Sequence, residues 1–410
     1  MSLYQKASLV QIPSGTKVNK LYSVVPNNGD GDFTGTIIDA DATRINKDGL
    51  VEDVSTNVAR LNYDPTNPQD PHLLIESARA NSFLYSELFN NSYWTKENVS
   101  TATGVTSPMG DTDAQNLIEN TSTSRHRISR SMSVSAFNWY SVSVWAKSSD
   151  RNLVINADFL FNARSGFNLS TGTTANTTSG TATITEYPNG WYKCTVTGQA
   201  TTSHTQLMYI QMQTGTTDAN YTGNGSSKVS LFGAQFEAGI YTTSYIPTSG
   251  TELTRTEDNI YAGGDANLFN DTEGTLFVDI EPFTYDGIAR ITLSDSSTSD
   301  RIVIGTANST QFRLLVIQGG AAPFRMDTFR NITYNTRNKI AITYKQNEYK
   351  LAINGTVVLT TTNTGLTPQG LNQLRFSDGD SGLKWRGKVF QTMVFNEALS
   401  NTELQELTSL

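Results

Sequence analysis

Apolar and polar residues alternate through the middle of this chain with the two-residue period that is typical of β-strands. The segment 139–146 places Tyr140, Val142 and Val144 on one face. Four further segments alternate in the same way, at 152–161, 191–197, 206–213 and 228–236. Clusters of Gly, Asn, Ser and Thr separate them, and no helical pattern intervenes. Short strands at this spacing predict a β-sandwich or jelly roll over residues 86–250.

A second strand-rich unit is predicted over residues 271–410. Its clearest local signal is the pair Asn354-Gly355 between two apolar runs, because both residues tolerate the positive φ of a type I′ hairpin turn. Further on, Ser400 and Glu403 form a capping-box pair ahead of leucines at helical spacing. The pattern therefore predicts a second β-sandwich that is followed by one short helix.

Residues 1–85 have no clear periodicity and carry many turn signals, including the series Pro65, Pro68 and Pro71. Such a segment buries too little apolar surface to fold alone, so we expect an arm that is ordered by contacts outside itself. Residues 251–270 are interpreted as a linker. The expected fold class is all-β, with an extended N-terminal arm followed by two β-sandwich (jelly-roll) domains.

The charge balance argues against nucleic-acid binding, which requires a cationic face. The net charge is −8, and the one tight basic cluster, 125–130, lies among Ser and Thr residues typical of a solvated strand edge. No segment reaches the roughly 18 apolar residues of a membrane-spanning helix, and the N-terminus does not read as a secretory signal. The single cysteine, Cys194, excludes an intramolecular disulfide and a Cys-based metal site. We expect neither nucleic acid nor a membrane as a partner.

Several motifs of the first 250 residues resemble sequences found in virion fibre and decoration proteins of tailed bacteriophages. In the arm these motifs are Ala42–Glu52, Val58–Tyr63 and His72–Asn81, and Asn91–Lys96 follows at the start of the predicted jelly roll. Further on, Leu231–Gly239 looks like the closing strand of a jelly roll that is similar to carbohydrate-binding modules. This resemblance implies an N-terminal virion-anchoring arm and a location on the virion surface, after synthesis in the host cytoplasm and release by lysis.

The C-terminal unit resembles a concanavalin A-like, laminin G-like sandwich. The similarity lies in the Asn354-Gly355 hairpin and in the segments Trp385–Val389 and Val394–Ser400. The two resemblances together imply capsid or tail proteins as partners, cell-surface glycans as ligands, and self-association, with a homotrimer expected by analogy with phage fibres. Fold-level similarity carries no chemistry by itself.

The faces of the predicted jelly-roll strands that point away from the core carry a mixture of aromatic and amide side chains. Sugar recognition uses such a mixture, with rings under apolar sugar faces and polar groups for hydroxyls. The candidate carbohydrate-binding residues are Trp139, Trp145, Asn156, Asp158, Tyr209 and Gln211. The alternative is that both tryptophans pack under loops or against a neighbouring domain, since large aromatics provide much of the burial of a sandwich.

No catalytic residue is predicted. His72, His126 and His204 lie in separate segments without a ligand partner at helical or strand spacing, and no nucleophile elbow or P-loop is present. We expect no cofactor, apart from a weak calcium candidate at Asp378 and Asp380, for which a plain Asp-Gly turn is the alternative.

The leading hypothesis is a non-enzymatic structural virion protein that displays its sandwiches for weak, multivalent binding to glycans or the host surface. Many copies on one particle convert poor single-site affinity into avidity. The alternative is a purely architectural capsid or tail decoration protein without a ligand. A glycan-degrading enzyme, or its binding subunit, is a third hypothesis, because a glycosidase needs only two carboxylates that the fold brings together.

Overall fold

The protein is described by a computed structural model for residues 2–13, 22–25, 29–32, 35–36, 42–56, 58–157, 163–320, 325–362 and 367–410. Strands dominate these residues, so the all-β fold class is confirmed. The α-helices among them are α1 (Leu3–Lys6) and α2 (Asn401–Thr408). Within this part of the chain, no helix is long and apolar enough to cross a membrane.

The described N-terminal residues form short strands rather than one long extension. They are β1 (Leu9–Gln11), β2 (Tyr22–Val25), β3 (Gly29–Asp32), β4 (Gly35–Thr36), β5 (Ala42–Ile45), β6 (Val51–Val54), β7 (Leu61–Asp64), β8 (Asn67–Ile75) and β9 (Arg79–Asn81). Two neighbouring pairs form hairpins, β5 with β6 and β7 with β8.

The next group of strands builds the jelly roll. It comprises β10 (Thr95–Glu97), β11 (Val99–Val105), β12 (Ala114–Glu119), β13 (Thr123–Ser124), β14 (His126–Val134), β15 (Trp139–Ser148), β16 (Asn152–Ala157), β17 (Ala163–Asn168), β18 (Thr173–Thr178), β19 (Thr181–Tyr187), β20 (Trp191–Gln199), β21 (His204–Gln213), β22 (Tyr221–Thr222) and β23 (Lys228–Ala238). One six-stranded sheet, the front sheet, has the order β10-β14-β21-β16-β17-β18. The other, the back sheet, has the order β11-β12-β23-β15-β20-β19.

The alternating apolar residues of these two sheets meet in one core. Val142 and Val144 of the back sheet pack with Ile155, Ile210 and Met212 of the front sheet, all of them fully buried. Cys194 joins this core as a buried free thiol, and burial raises its pKa well above the usual value. The sequence alternation therefore identified the inward face of both sheets correctly, because a strand places every second side chain on the same side.

Between the two sandwiches, β24 (Leu253–Arg255) pairs with β9, and β25 (Asn259–Ile260) pairs with β4. The C-terminal sandwich contains β26 (Glu273–Pro282), β27 (Arg290–Ser294), β28 (Arg301–Asn308), β29 (Gln311–Ile317), β30 (Arg325–Asn331), β31 (Asn338–Lys345), β32 (Glu348–Ile353), β33 (Thr356–Thr361), β34 (Gln373–Arg375) and β35 (Gly387–Phe395). Five of them form the small sheet β30-β29-β28-β27-β34. The large sheet has the order β3-β2-β1-β35-β26-β31-β32-β33, and β8 adds to it through β35.

The large sheet is apolar on both faces. One face, with Leu276 and Val278, packs on the small sheet. The other face, with Phe277 and Met393, lies under α2 and its buried Leu404. The predicted helix and hairpin are both confirmed, since Ser400 and Glu403 form the capping box and Asn354-Gly355 turns with φ of +46° and +79°.

The N-terminal strands are ordered largely by later parts of the chain. Leu9 pairs with Val394 in the large sheet, and Arg79 pairs with Arg255 through β9 and β24. Below this layer the buried Arg60 forms salt bridges to Glu76 and Asp258. Burial alone would lower the pKa of Arg60, but the two carboxylates raise it, so the guanidinium stays charged. The described arm therefore adds strands to the large sheet of the C-terminal sandwich and packs against the back sheet of the jelly roll.

Candidate functional site

The turn between β14 and β15 presents two aromatic side chains at the surface. Phe137 is 76% exposed and Trp139 is 39% exposed. Phe137 has φ +66°, an uncommon value for a bulky residue. Its amide donates to the carbonyl of Ala200 (2.7 Å), and Gln199 Nε2 donates to its carbonyl (2.8 Å). These two hydrogen bonds hold the turn, so the rings are displayed from a fixed backbone.

An open cavity of about 520 Å³ lies beside these rings, between the jelly roll and the C-terminal sandwich. We call it the interdomain groove. Phe137 and Trp139 form its jelly-roll wall, and Tyr285 and Arg386 come from the C-terminal sandwich. Arg79, from the arm, completes the lining between them. Three separate parts of the chain therefore meet in one concave surface.

Charged groups form the centre of the interdomain groove around one carboxylate. Asp286 accepts hydrogen bonds from Arg386 Nη1 (2.7 Å), Arg79 Nη2 (3.1 Å) and the hydroxyl of Tyr241 (3.0 Å). Burial, reinforced by the charge of Asp286, raises the pKa of Tyr241, so its hydroxyl remains a donor. With two guanidinium groups around one carboxylate, the groove carries an excess of positive charge and of hydrogen-bond donors.

Of the two predicted aromatic candidates on β15, Trp139 lines the interdomain groove and Trp145 does not. The other residues of the interdomain groove were missed at the sequence level. Phe137 could have been found from the sequence, because a large aromatic residue inside the turn Ser135–Asn138 is more typical of an exposed contact residue than of a core residue. No local signal marks Arg79, Asp286 or Arg386, which come together only in the folded chain.

The expectation that Trp145 lies on an open face is wrong. Trp145 is 1% exposed and forms edge contacts with Tyr187, Phe232 and Tyr245. Val51 of the arm belongs to the same cluster. The physical reason is that the arm and the segment after β23 cover the outer face of the back sheet, which was the alternative considered for this residue.

Asn156, Tyr209 and Gln211 do share one face, the outer face of the front sheet, but they are not open to solvent. Their exposed fractions are 1%, 4% and 0%. The loop after β21 covers them with Asp218, whose carboxylate accepts from Asn156 Nδ2 (3.2 Å), the Tyr209 hydroxyl (2.9 Å) and Gln211 Nε2 (3.1 Å). The expectation of an exposed sugar face is therefore corrected here too, because a polar loop occupies it.

Arginine side chains surround the same carboxylate. Arg127 lies over the Tyr209 ring at 4.3 Å, while Arg125 and Arg164 approach Asp218 at 3.6 and 3.7 Å. Sequence reasoning missed Asp218, which stands in an aperiodic polar loop. Asp158 lies outside the described residues. Whether any of these predicted residues contacts a sugar stays a prediction.

The calcium candidates occupy a tight turn of the C-terminal sandwich. Asp378 accepts a hydrogen bond from Arg301 Nη1 (2.6 Å), and Asp380 accepts from the amide of Gly382 (3.1 Å). In the part of the chain that the structure describes, no three His, Cys, Asp or Glu side chains converge as metal ligands would. Calcium binding at this turn stays a prediction.

Comparison with known proteins identifies the fold of the C-terminal unit. Residues 255–405 match the family model of the concanavalin A-like lectin/glucanases superfamily. No curated protein matches the chain.

Among solved structures, the chain is similar to the IT-sialidase CBM40 of Ruminococcus gnavus bound to alpha2,3 sialyllactose, with 16% identity and a TM-score of 0.32. The match covers 35% of this chain and 86% of that chain. The K499G mutant of the NanB sialidase of Streptococcus pneumoniae has 16% identity and a TM-score of 0.30. That match covers 34% of this chain and 24% of the sialidase chain. A SAP-like pentraxin of Limulus polyphemus has 12% identity and a TM-score of 0.26. That match covers 32% of this chain and 68% of the pentraxin chain. Similarity at this level assigns neither a ligand nor an activity to this chain.

Proposed function

We propose that this protein binds glycans without transforming them, and that the interdomain groove is its main binding surface. The observation that carries the proposal is the exposed pair Phe137 and Trp139, set on a held turn beside the hydrogen-bonded centre of Arg79, Asp286 and Arg386. An aromatic ring offers a flat apolar surface to the axial hydrogens of a sugar. The neighbouring guanidinium groups offer several donors in fixed positions to its hydroxyl or carboxylate oxygens.

The shape of the interdomain groove supports a segment of an oligosaccharide rather than a fully enclosed small molecule. The cavity is open, and both sandwiches contribute aromatic rings to it, Phe137 and Trp139 from the jelly roll and Tyr285 from the C-terminal sandwich. Weak affinity at one such site is expected, because an open groove desolvates only one side of the sugar. Several copies in one assembly would raise the overall affinity through avidity.

The carboxylate content of the interdomain groove favours a binding role over glycoside hydrolysis. Asp286 is the one carboxylate among the described residues that line the interdomain groove, and it is engaged by three donors. Glycoside hydrolysis ordinarily uses a pair of carboxyl groups on either side of the scissile bond. The groove offers no second one for the acid or the nucleophile.

The setting we propose is the virion surface, in contact with capsid or tail proteins and as a homo-oligomer, with a trimer as the expected number. The resemblance of the motifs in Ala42–Glu52 and His72–Asn81 to phage fibre and decoration proteins supports this setting. Sedimentation of the intact protein would test the self-association. A monomer at micromolar concentration would count against it.

The experiment that tests glycan binding is a glycan array probed with the full chain, with Trp139→Ala as the variant and Leu207→Ala as the control. Leu207 is 36% exposed, close to the 39% of Trp139, but lies on the front sheet away from the groove. We expect wild type to bind a subset of glycans and Trp139→Ala to bind them about tenfold more weakly, since aromatic anchors dominate such contacts. Wild-type protein that binds no glycan would leave the purely architectural role. A variant that binds as well as wild type would place the glycan site outside the interdomain groove.

A further inference from the structure

A second cavity lies on the covered side of the jelly roll, about 280 Å³ in volume. It opens between the outer face of the back sheet, the arm, and Lys388 of the C-terminal sandwich. We call it the arm pocket. Trp145, Tyr187 and Tyr245 form its aromatic walls. The volume is near the lower end of small-molecule pockets, which hold about 300–1,000 Å³, so one monosaccharide-sized ligand is the appropriate occupant.

Most charged side chains of the arm pocket already have a counter-charge. Arg44 forms a salt bridge to Glu52 at 2.6 Å, and Lys388 to Glu281 at 2.8 Å. Glu76 is paired with Arg60 at 2.6 Å. These groups contribute hydrogen-bonding atoms to the walls, but their charges are balanced without a ligand.

Lys193 is the exception among the described charged residues of the arm pocket. Its ammonium donates to the carbonyl of Thr243 (2.9 Å) and lies 4.7 Å from the centre of the Trp145 ring. Within the described chain it makes no salt bridge, and the carboxylates that act on it from a distance, Glu237 and Glu76, are hydrogen-bonded elsewhere. Burial lowers the pKa of Lys193, which reflects the cost of holding this cation away from water.

An ammonium with one carbonyl partner retains two donor directions. Lys193 is a partly buried cation that forms no salt bridge within the described chain, and an anion bound beside it would supply a direct ion pair. The walls next to Lys193 add hydroxyl groups from Thr43, Thr185 and Thr242. Aromatic walls, hydroxyl groups and one cation outside any described salt bridge together favour a ligand that is small, hydroxylated and anionic.

We infer that the arm pocket binds a single acidic sugar, with its carboxylate on Lys193 and its ring against Trp145. This site is separate from the interdomain groove, and it gives the buried tryptophan a ligand contact inside the fold instead of on an open face. A hexuronic acid has the required size and charge.

The test is isothermal titration of the full chain with sodium glucuronate and, separately, with glucose. The two sugars differ only in a carboxylate at one carbon, so the comparison isolates the contribution of the ligand's carboxylate without any mutation. We expect saturable one-to-one binding of glucuronate and at least about tenfold weaker binding of glucose. No binding of glucuronate, or equal binding of both sugars, overturns the proposal.

A matched pair of lysine variants locates the site. Lys193→Met keeps a long, unbranched side chain and removes its charge. It should weaken glucuronate binding by about tenfold or more. Lys147→Met makes the same change on the neighbouring strand β15, outside the arm pocket, and should bind like wild type. Trp139→Ala should also bind glucuronate like wild type, which separates this pocket from the groove. Undiminished binding by a folded Lys193→Met protein contradicts the proposal.

Discussion

The two outer faces of the jelly roll are both covered, but by opposite chemistry. The back sheet presents aromatic side chains, Trp145 and Phe232, which pack under the arm and the segment around Tyr245. The front sheet presents Asn156, Tyr209 and Gln211, which are bonded to a carboxylate from a polar loop. Polar and aromatic residues on the strand face that points away from the core thus indicate a further layer of structure at least as readily as a binding surface.

The largest difference between the two faces is expected on removal of an aromatic ring from the back sheet. Trp145→Ala should lower the free energy of unfolding by about 3–5 kcal/mol, because the covering layer cannot collapse into the space of an indole. Guanidinium unfolding followed by circular dichroism measures the change. Trp139→Ala is the control, and its 39% exposed ring should cost about 1 kcal/mol or less. Equal losses in the two variants would show that the back face is not packed as described.

Acid should loosen the cover of the back face. Burial alone would raise the pKa of Glu76, but Arg60 and Arg255 outweigh it and lower the pKa from 4.5 to about 2. A lowered carboxyl pKa contributes stability that is fully present above the unfolded value and lost as the pH falls through the folded value. We therefore expect a loss of about 3 kcal/mol from this group between pH 4.5 and 2, at about 1.4 kcal/mol for each pKa unit.

Urea unfolding at a series of pH values measures this loss. Glu76→Gln should flatten the dependence over the same range, whatever its own stability, because the titrating group is gone. A variant with the same slope as wild type would assign the acid sensitivity to other carboxylates.

The smallest effect is expected on the front face. Asp218→Asn should cost about 1–2 kcal/mol, because the amide cannot accept all the hydrogen bonds that Tyr209 and Gln211 now donate to a carboxylate. Arg164→Met is the matched control, since its side chain is 43% exposed and should change stability by no more than about 0.5 kcal/mol. If Asp218→Asn were neutral, the loop would be resting on the sheet without stabilising it.

The inward faces of the strands were predictable because the period of a strand is a local property. Val142 and Ile210 alternate with polar neighbours in sequence and meet in the core as expected. The turn at Asn354-Gly355 and the cap at Ser400 were predictable for the same reason, since each depends on a few adjacent residues.

The covered outer faces were not predictable, because what covers a strand is set by distant parts of the chain. Val51 reaches Trp145 from the arm, and Asp218 reaches Asn156 from a loop with no periodic signal. The interdomain groove has the same origin, since Arg79 and Asp286 are separated by 207 positions. Trp139 was the one residue of the groove that was recognised, because the alternation along β15 places it on the face that points away from the core.

The pairing of β1 with β35 has a consequence for biosynthesis. Leu9 is made about 385 residues before its partner Val394, which at about 5–20 residues per second is an interval of roughly 20 to 80 seconds. During that time Leu9 and Val10, buried on opposite faces of the finished sheet, lack the strands from β35 onward that complete it. The jelly roll, whose strand partners all lie within its own segment, can fold meanwhile on the ribosome. β2 can pair with one edge of β1 soon after synthesis. The edge of β1 that pairs with β35 is therefore among the last to be completed, and conditions that slow translation prolong its exposure to other chains.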